Sequence, residues 1–237
     1  MTANFPDTAV LLVGGEGTRL RPLTLFKPKA LMPVLNQPML GFVISWLKKY
    51  GIKRIILSSS LKNKYLQKTF KSGKTLGVKI YYALEDKPLG TGGAVKNAER
   101  FIKDRAFVFN GDILTDFNLA EMWEYHRNNK SQLTIALKKV KDPASFGLVK
   151  LYGDGRICRF IEKPEGKKIA IEPLINAGVY LLEKEVLKLM EPDTNYSIER
   201  YLFPRLCEDK IPFFGYRGKF RFWMDVGTPS RYLEAHN

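Results

Sequence analysis

TAVLLVGG, residues 8–15, is a short apolar run stopped by glycines, the form of a strand buried on both faces. What surrounds it decides the fold. PMLGFVISWLKKYG (38–51) spaces apolar residues as a helix does and ends on Gly51, suited to a C-terminal cap. RIILSSS (54–60) reads as a strand, LKNKYLQKTFKSG (61–73) as a basic helix and VKIYYAL (78–84) as another strand. TGGAVKNAERFI (91–102) reads as a helix and AFVFNGD (106–112) as a fourth strand. Strands alternating with helices predict a parallel sheet with right-handed crossovers, a doubly wound α/β architecture. In such sheets ligands sit beyond the carboxyl ends of the strands, at the switch point. Gly14 to Arg19 and Asn110 to Asp112 both follow strands there.

The second half changes character. QLTIALKKV (132–140) is strand-like, and residues 146–164 hold two strand-like runs around Gly153-Asp154-Gly155, a hairpin signal. INAGVYLLEKEVLKLM (175–190) is a strand feeding a helix, and 211–227 holds two more strands before a final helix from Pro229. These predict a smaller mixed sheet at one end of the main one, covering the crevice. No repeat or low-complexity linker divides the 237 residues, which read as one unit.

Composition narrows the class further. The chain is 45% hydrophobic and 12% aromatic, enough for a sizeable core, and 27% charged, which excludes disordered and collagen-like classes. No apolar run reaches the roughly 18 residues of a membrane span, and the N-terminus lacks the marks of a signal peptide. Cys158 and Cys207 are too few for a disulfide framework, so a reducing cytoplasm is the expected setting and both thiols are expected to be buried and inert. With only His126 and His236, a His-rich zinc site and most His-based nucleophile schemes lack material; both read as structural or solvent-facing. The net charge is +15, and between Glu16 and Glu85 no acidic residue stands among 14 basic ones. That third attracts anions; for Lys48 to Lys79 a solvated lysine-rich exterior is the competing reading.

The loop GGEGTRLRPLTLFKPKALMPV (14–34) carries the chemistry. It lacks the G-x-x-x-x-G-K-[ST] spacing of a P-loop, and Leu20 stands where a dinucleotide fingerprint needs its third glycine. Pro22, Pro28 and Pro33 prevent a regular helix, leaving a long ordered loop of the kind that is usually functional. Its glycines let backbone N–H groups approach an anion, and Arg19 and Lys29 add two positive charges. A structural glycine-rich turn is the bland alternative.

The chain resembles the sugar-1-phosphate nucleotidyltransferases (NDP-sugar pyrophosphorylases). Residues 14–24 and 28–34 match the family pattern G-G-x-G-T-R-L-x-P-L-T and P-K-x-L-x-P-V throughout. The match continues through PLGTGGA (88–94), NGD (110–112), FGLV (146–149), EKP (162–164), INAGVYLL (175–182), SIER (197–200) and WMDVGTPSRYL (223–233). Within the family the resemblance is strongest to mannose-1-phosphate and heptose-1-phosphate guanylyltransferases. It implies a Rossmann-like doubly wound mixed sheet with a smaller sugar-binding sub-sheet. Residues 1–112 would be an NTP-binding half and 113–237 a sugar-phosphate-binding half, with no C-terminal β-helix in these residues.

The resemblance also implies roles. Gly14, Gly15, Gly17, Thr18 and Arg19 would hold the triphosphate, and Lys29 would bridge the phosphates that meet. Asp112 and Asp225, which by composition alone read as loop or cap aspartates, would hold Mg²⁺; Asp116, four residues on, invites confusion with Asp112. Glu85, Gly90, Thr91 and Gly111 would complete the nucleotide site. A carboxylate at Glu85 suits the N1–H and N2–H₂ donors of guanine, although uridylyltransferases carry Glu there too. Gly147, Glu162, Lys163, Asn176 and Gly178 would take the sugar phosphate; without the match, Glu162-Lys163 reads as a surface pair. The implied substrates are GTP and mannose 1-phosphate, with UTP- or dTTP-dependent transfer to another sugar 1-phosphate as the alternative. An inactive NDP-sugar-binding regulatory module is the alternative of another class. Neither a nucleic-acid motif nor interleaved stacking aromatics support a nucleic-acid partner, and a homo-oligomer is left open.

Overall fold

The computed structural model describes residues 5–61, 64–140, 143, 146–162 and 173–236. Lys163 lies outside them. The strands are β1 (Thr8–Leu12), β2 (Pro33–Val34), β3 (Gln37–Pro38), β4 (Arg54–Ser60), β5 (Lys79–Glu85), β6 (Arg105–Asn110) and β7 (Ile113–Thr115), then β8 (Leu133–Lys139), β9 (Leu148–Leu151), β10 (Ile157–Ile161), β11 (Leu174–Glu183), β12 (Phe213–Tyr216) and β13 (Trp223–Asp225). The helices are α1 (Met39–Lys49), α2 (Lys64–Phe70), α3 (Gly90–Asn97), α4 (Leu119–Asn128), α5 (Phe203–Glu208) and α6 (Pro229–Glu234).

In the first half β5, β4, β1 and β6 lie side by side and parallel. The chain runs outward from β1 through β4 to β5, then returns to place β6 on β1's other side. The reversal between β1 and β6 is the switch point, and the backbone N–H of Gly111 bonds there to the carbonyl of Leu12 at 3.0 Å. Alternation along the strands sorts two cores. Ala9, Leu11, Ile55, Leu57, Phe107 and Phe109 face α1, α2 and α4, while Val10, Ile56 and Val108 face α3 and α5. Each large apolar side chain buried this way contributes about 1.5–3 kcal/mol, and helices cover both faces of the sheet.

The smaller sheet expected of the second half is continuous with the first. The long strand β11 pairs antiparallel with β6 through Val179 to Glu183, with β8 along its other edge, and with β9 at Ile175. β12 adds parallel to β8, and β10 closes on β9 as the hairpin whose turn holds Gly155 at φ +87°. The β11–β8 register shifts between Asn176 and Tyr180. Gly178 sits at this bulge with φ +72°, where an added Cβ would lie 2.9 Å from Asn110 Nδ2, so backbone conformation and close approach both require glycine. Helix ends follow the expected chemistry. Gly51, past α1, has φ +83°, and Thr228 caps α6 by accepting the N–H of Arg231 at 3.4 Å. INAGVYLLEKEVLKLM ends in a 3₁₀ segment, Lys184–Leu189, instead of an α-helix.

Candidate active site

Asp112 and Asp225 meet through a two-stranded ribbon. β13 pairs antiparallel with β7, setting Asp225 opposite Ile113, and the N–H of Val226 bonds the carbonyl of Asp112 at 2.9 Å. Asp116 is not part of this pair: its carboxylate accepts the backbone N–H groups of Arg221 and Phe222. Lys29 opens a 3₁₀ turn anchored by the buried Ala30 and Leu31, and its Nζ reaches Asp112 Oδ2 at 2.5 Å. The guanidinium of Arg19 lies against Gly227, where an added Cβ would sit 3.2 Å from Nη2. Arg231 donates from Nη1 to Asp225 Oδ2 at 3.3 Å.

Asp225 is under strain of charge. Burial, and then the neighbouring Asp112 carboxylate, push its carboxyl above the ordinary value, while Lys29, Arg19 and Arg231 pull it back. Its Oδ1 is buried with no hydrogen-bond partner among the described residues, the kind of orphaned acceptor that calls for an explanation. No cluster of three or more His, Cys, Asp or Glu side chains exists among the described residues. The described residues therefore offer no soft-ligand or four-ligand protein cage. Two hard carboxylates, one with an unused buried oxygen, fit a cation such as Mg²⁺ that completes its shell with phosphate oxygens and water.

The glycine loop stands beside this group. Gly17 has φ +64°, its carbonyl accepts the hydroxyl of Thr24 at 2.8 Å, and an added Cβ would meet Thr24 and Lys29 side chains at 3.1 and 3.2 Å. Residues Thr18–Leu20 form a 3₁₀ turn held down by buried Leu20, leaving Thr18 and Arg19 exposed. A cavity of about 910 Å³ opens there, within the usual range for a ligand site. Gly14, Gly15, Gly17, Thr18, Arg19, Lys29, Glu85, Gly90, Thr91, Gly111 and Asp112 all line it. At its far end Glu85, buried at the end of β5, accepts from Ser58 Oγ at 3.0 Å and from the Leu89 N–H at 3.2 Å. Gly90, at φ +67°, would carry a Cβ 2.6 Å from the Tyr196 carbonyl. Thr91 donates to Glu199 Oε2 at 2.8 Å and accepts from the N–H of Ile198 at 2.9 Å, which pins this turn to the second half.

Of the residues expected to take a sugar phosphate, the described ones, Gly147, Glu162, Asn176 and Gly178, do not line this cavity. Asn110 borders it and approaches Gly178. The N–H of Asn176 bonds the Gly147 carbonyl at 2.9 Å, and a Cβ on Gly147 would lie 2.4 Å from Phe160 and 2.9 Å from Glu162 Oε2. Asn176 is already engaged at both ends of its amide. Its Oδ1 accepts the Gly178 N–H at 2.9 Å, and its Nδ2 donates to the buried Tyr180 hydroxyl at 2.8 Å.

Sequence reasoning placed Asn110 at the switch point but did not single out Ser58, Tyr180, Glu199 or Arg231. SIER and SRYL lie in the matched motifs, but only the fold shows that Glu199 and Arg231 reach Thr91 and Asp225. His126 is buried between Thr134 and Glu183, a structural role. Cys158 and Cys207 are half-buried rather than fully buried.

A family model described as nucleotidyl transferase matches residues 8–237. The chain therefore belongs to the nucleotidyl transferase family. It is 39% identical to a mannose-1-phosphate guanylyltransferase of Mycobacterium tuberculosis over 96% of this chain and 63% of that protein. It is 36% identical to a mannose-1-phosphate guanylyltransferase catalytic subunit beta of Danio rerio over 95% of this chain and 62% of that protein. The chain thus spans less than two thirds of the length of these relatives. Among solved structures it resembles HddC from Yersinia pseudotuberculosis, at 28% identity and a TM-score of 0.83 over 97% of this chain and 98% of that one. HddC complexed with GMP-PN is similar at 29% identity and a TM-score of 0.81, again over 97% and 98% of the two chains.

Proposed function

We propose that this protein transfers a guanylyl group from GTP to mannose 1-phosphate, giving GDP-mannose and pyrophosphate. The observation that carries the reading is the meeting of Asp112, Asp225, Lys29 and Arg19 at a glycine-loop cavity on the switch point, which Arg19, Lys29 and Asp112 line. An oxygen of the sugar 1-phosphate attacks the α-phosphorus of GTP. The bond from that phosphorus to the α–β bridging oxygen breaks, and pyrophosphate leaves with the electron pair. No protein nucleophile is required, so the chain's task is positioning and charge stabilisation.

The glycine loop offers backbone N–H groups to the triphosphate, and Arg19 stabilises the departing pyrophosphate. Lys29 stands where the two phosphates approach. Removing one such clamp costs about 3–4 kcal/mol of barrier. Asp112 and Asp225 would hold Mg²⁺, which when bound neutralises phosphate charge and draws the reacting groups together. Glu85 already accepts one protein donor on each oxygen, and a carboxylate oxygen retains capacity for a second. It can thus take guanine N1–H and N2–H₂ together.

The test is pyrophosphate release from protein mixed with GTP, mannose 1-phosphate and Mg²⁺, set against UTP or dTTP with glucose 1-phosphate. Faster turnover of the latter pairs would overturn the guanylyl assignment. No turnover of any pair would favour an NDP-sugar-binding regulatory module.

A further inference from the structure

We propose that Arg231 is a third active-site cation and that its guanidinium takes the phosphate of the sugar 1-phosphate. α6 begins two residues after Gly227, and its first turn, fixed by Pro229 and the Thr228 cap, turns Arg231 back towards β13. Nη1 stands 3.3 Å from Asp225 Oδ2, and the guanidinium lies 5.4 Å from the centre of the Phe146 ring. Phe146 immediately precedes Gly147, whose carbonyl fastens Asn176. Arg231 therefore bridges the acidic pair and the sugar-side loop, whereas Arg19 approaches the same aspartate from the glycine loop.

Charge and geometry favour a phosphate monoester here. Lys29 pairs with Asp112 and lines the glycine-loop cavity. The Asp225 pair occupies one guanidinium N–H, no other hydrogen bond to that side chain occurs among the described residues, and 36% of the side chain is exposed. Arginine carries five donors in a planar fork that matches phosphate oxygens two at a time. A guanidinium stacked on an aromatic ring is held in one plane and loses less freedom when it binds. The competing role is purely positional: Arg231 would only hold Asp225.

This inference rests on the guanylyl-transfer reading above, and one set of measurements separates the two. Initial rates of wild type, Arg231→Gln and Arg231→Lys are measured with mannose 1-phosphate varied at saturating GTP, then with GTP varied. Magnesium half-activation and Tm are read alongside. The expected result for Arg231→Gln is a KM for mannose 1-phosphate raised about 10- to 100-fold. KM for GTP, magnesium half-activation and Tm should stay near wild type, and Arg231→Lys should recover part of the loss. Equal rises for both substrates, or a shifted magnesium requirement with an unchanged KM for mannose 1-phosphate, would overturn it in favour of the positional role. A wild type that turns over no GTP–mannose 1-phosphate pair would sink the guanylyl reading instead. Calorimetric titration with mannose 1-phosphate and glucose 1-phosphate then decides on Arg231, and equal affinity of wild type and Arg231→Gln for both would overturn it.

Discussion

Gly227→Ala separates stability from catalysis at this site. Gly227 is not in the left-handed region, so alanine meets no backbone strain there. Its Cβ would stand 2.7 Å from Asp225 Oδ1 and 3.2 Å from Arg19 Nη2. A comfortable contact is about 3.5 Å, so the carboxylate must retreat by roughly 0.5–1 Å and the guanidinium must give as well. A misplacement of about 1 Å can cost 100-fold in rate, and kcat should fall about 10- to 100-fold. Stability should hardly move. Replacing glycine gains about 0.4–1 kcal/mol from the unfolded chain, against about 0.5–1.5 kcal/mol for a displaced side-chain rotamer. The assay pairs pyrophosphate release with thermal denaturation, using Gly111→Ala as the contrast. There a Cβ would lie 2.6 Å from the Leu12 carbonyl and 2.5 Å from Val13 Cγ1. Strand backbone cannot retreat as a side-chain tip can, so Tm should drop. Wild-type kcat and KM in Gly227→Ala would refute the placement of Asp225 and Arg19 as reacting-centre groups.

Three more outcomes are expected. Asp225→Asn should nearly abolish turnover yet raise Tm in EDTA: folding lifts this carboxyl above its ordinary 3.8, so its contribution is fully present below that value and is lost as pH rises through the folded one; an unchanged or lower Tm at neutral pH would contradict it. If Glu85 reads guanine, GTP should beat ITP by roughly 5- to 150-fold in kcat/KM, since a missing donor costs about 1–3 kcal/mol; Glu85→Gln should narrow that gap and lower Tm, because its amide faces one of two protein donors. Burial and then neighbouring Cys158 push the Cys207 thiol up to about 11 from 9.0, so at pH 8 it should alkylate about 100-fold more slowly than in urea-unfolded protein, and mass-mapped labelling at equal rates would refute this.

Local signals made much of this legible. The alternation of TAVLLVGG, RIILSSS, VKIYYAL and AFVFNGD with helical stretches predicts the parallel half. Gly51, Gly153-Asp154-Gly155 and Pro229 mark ends that the structure bears out. The residues expected to bind nucleotide line one cavity because they end or follow β1, β5 and β6 at the carboxyl edge of the parallel strands, a consequence of topology. Long-range pairing has no local signal. β7 and β13 are three residues each, too short for periodicity to show, yet their pairing joins Asp112 to Asp225. The fork of β11 between β6 and β9 and the reach of Glu199 to Thr91 depend in the same way on contacts between distant segments.

The site's attraction for anions is a separate matter from the overall charge. Lys48, Lys49, Lys53, Lys74 and Lys79 are exposed at the end of the sheet where β4 and β5 begin. The Lys79 N–H bonds the Lys53 carbonyl, and Lys79 pairs in register with Arg54. Ser58 and Ser60, at the other end of β4, border the cavity. At about 3.3 Å per residue, the length of β4 puts roughly 20 Å between the two ends. The Debye length at physiological salt is about 8 Å, so ions screen most of that lysine field before it reaches the phosphates. Lys29 and Arg231, the latter delivered by α6, pair directly with two half-buried carboxylates, and the field of Arg19 acts on Asp225 from the glycine loop. With the other charged side chains that line the cavity, five cations (Arg19, Arg21, Lys27, Lys29 and Arg231) face five carboxylates (Glu16, Glu85, Asp86, Asp112 and Asp225), so the balance is even before a cation or an anion is bound. On the reading proposed above, a cation held by Asp112 and Asp225 would offset those two carboxylates and leave Arg231 to act on substrate.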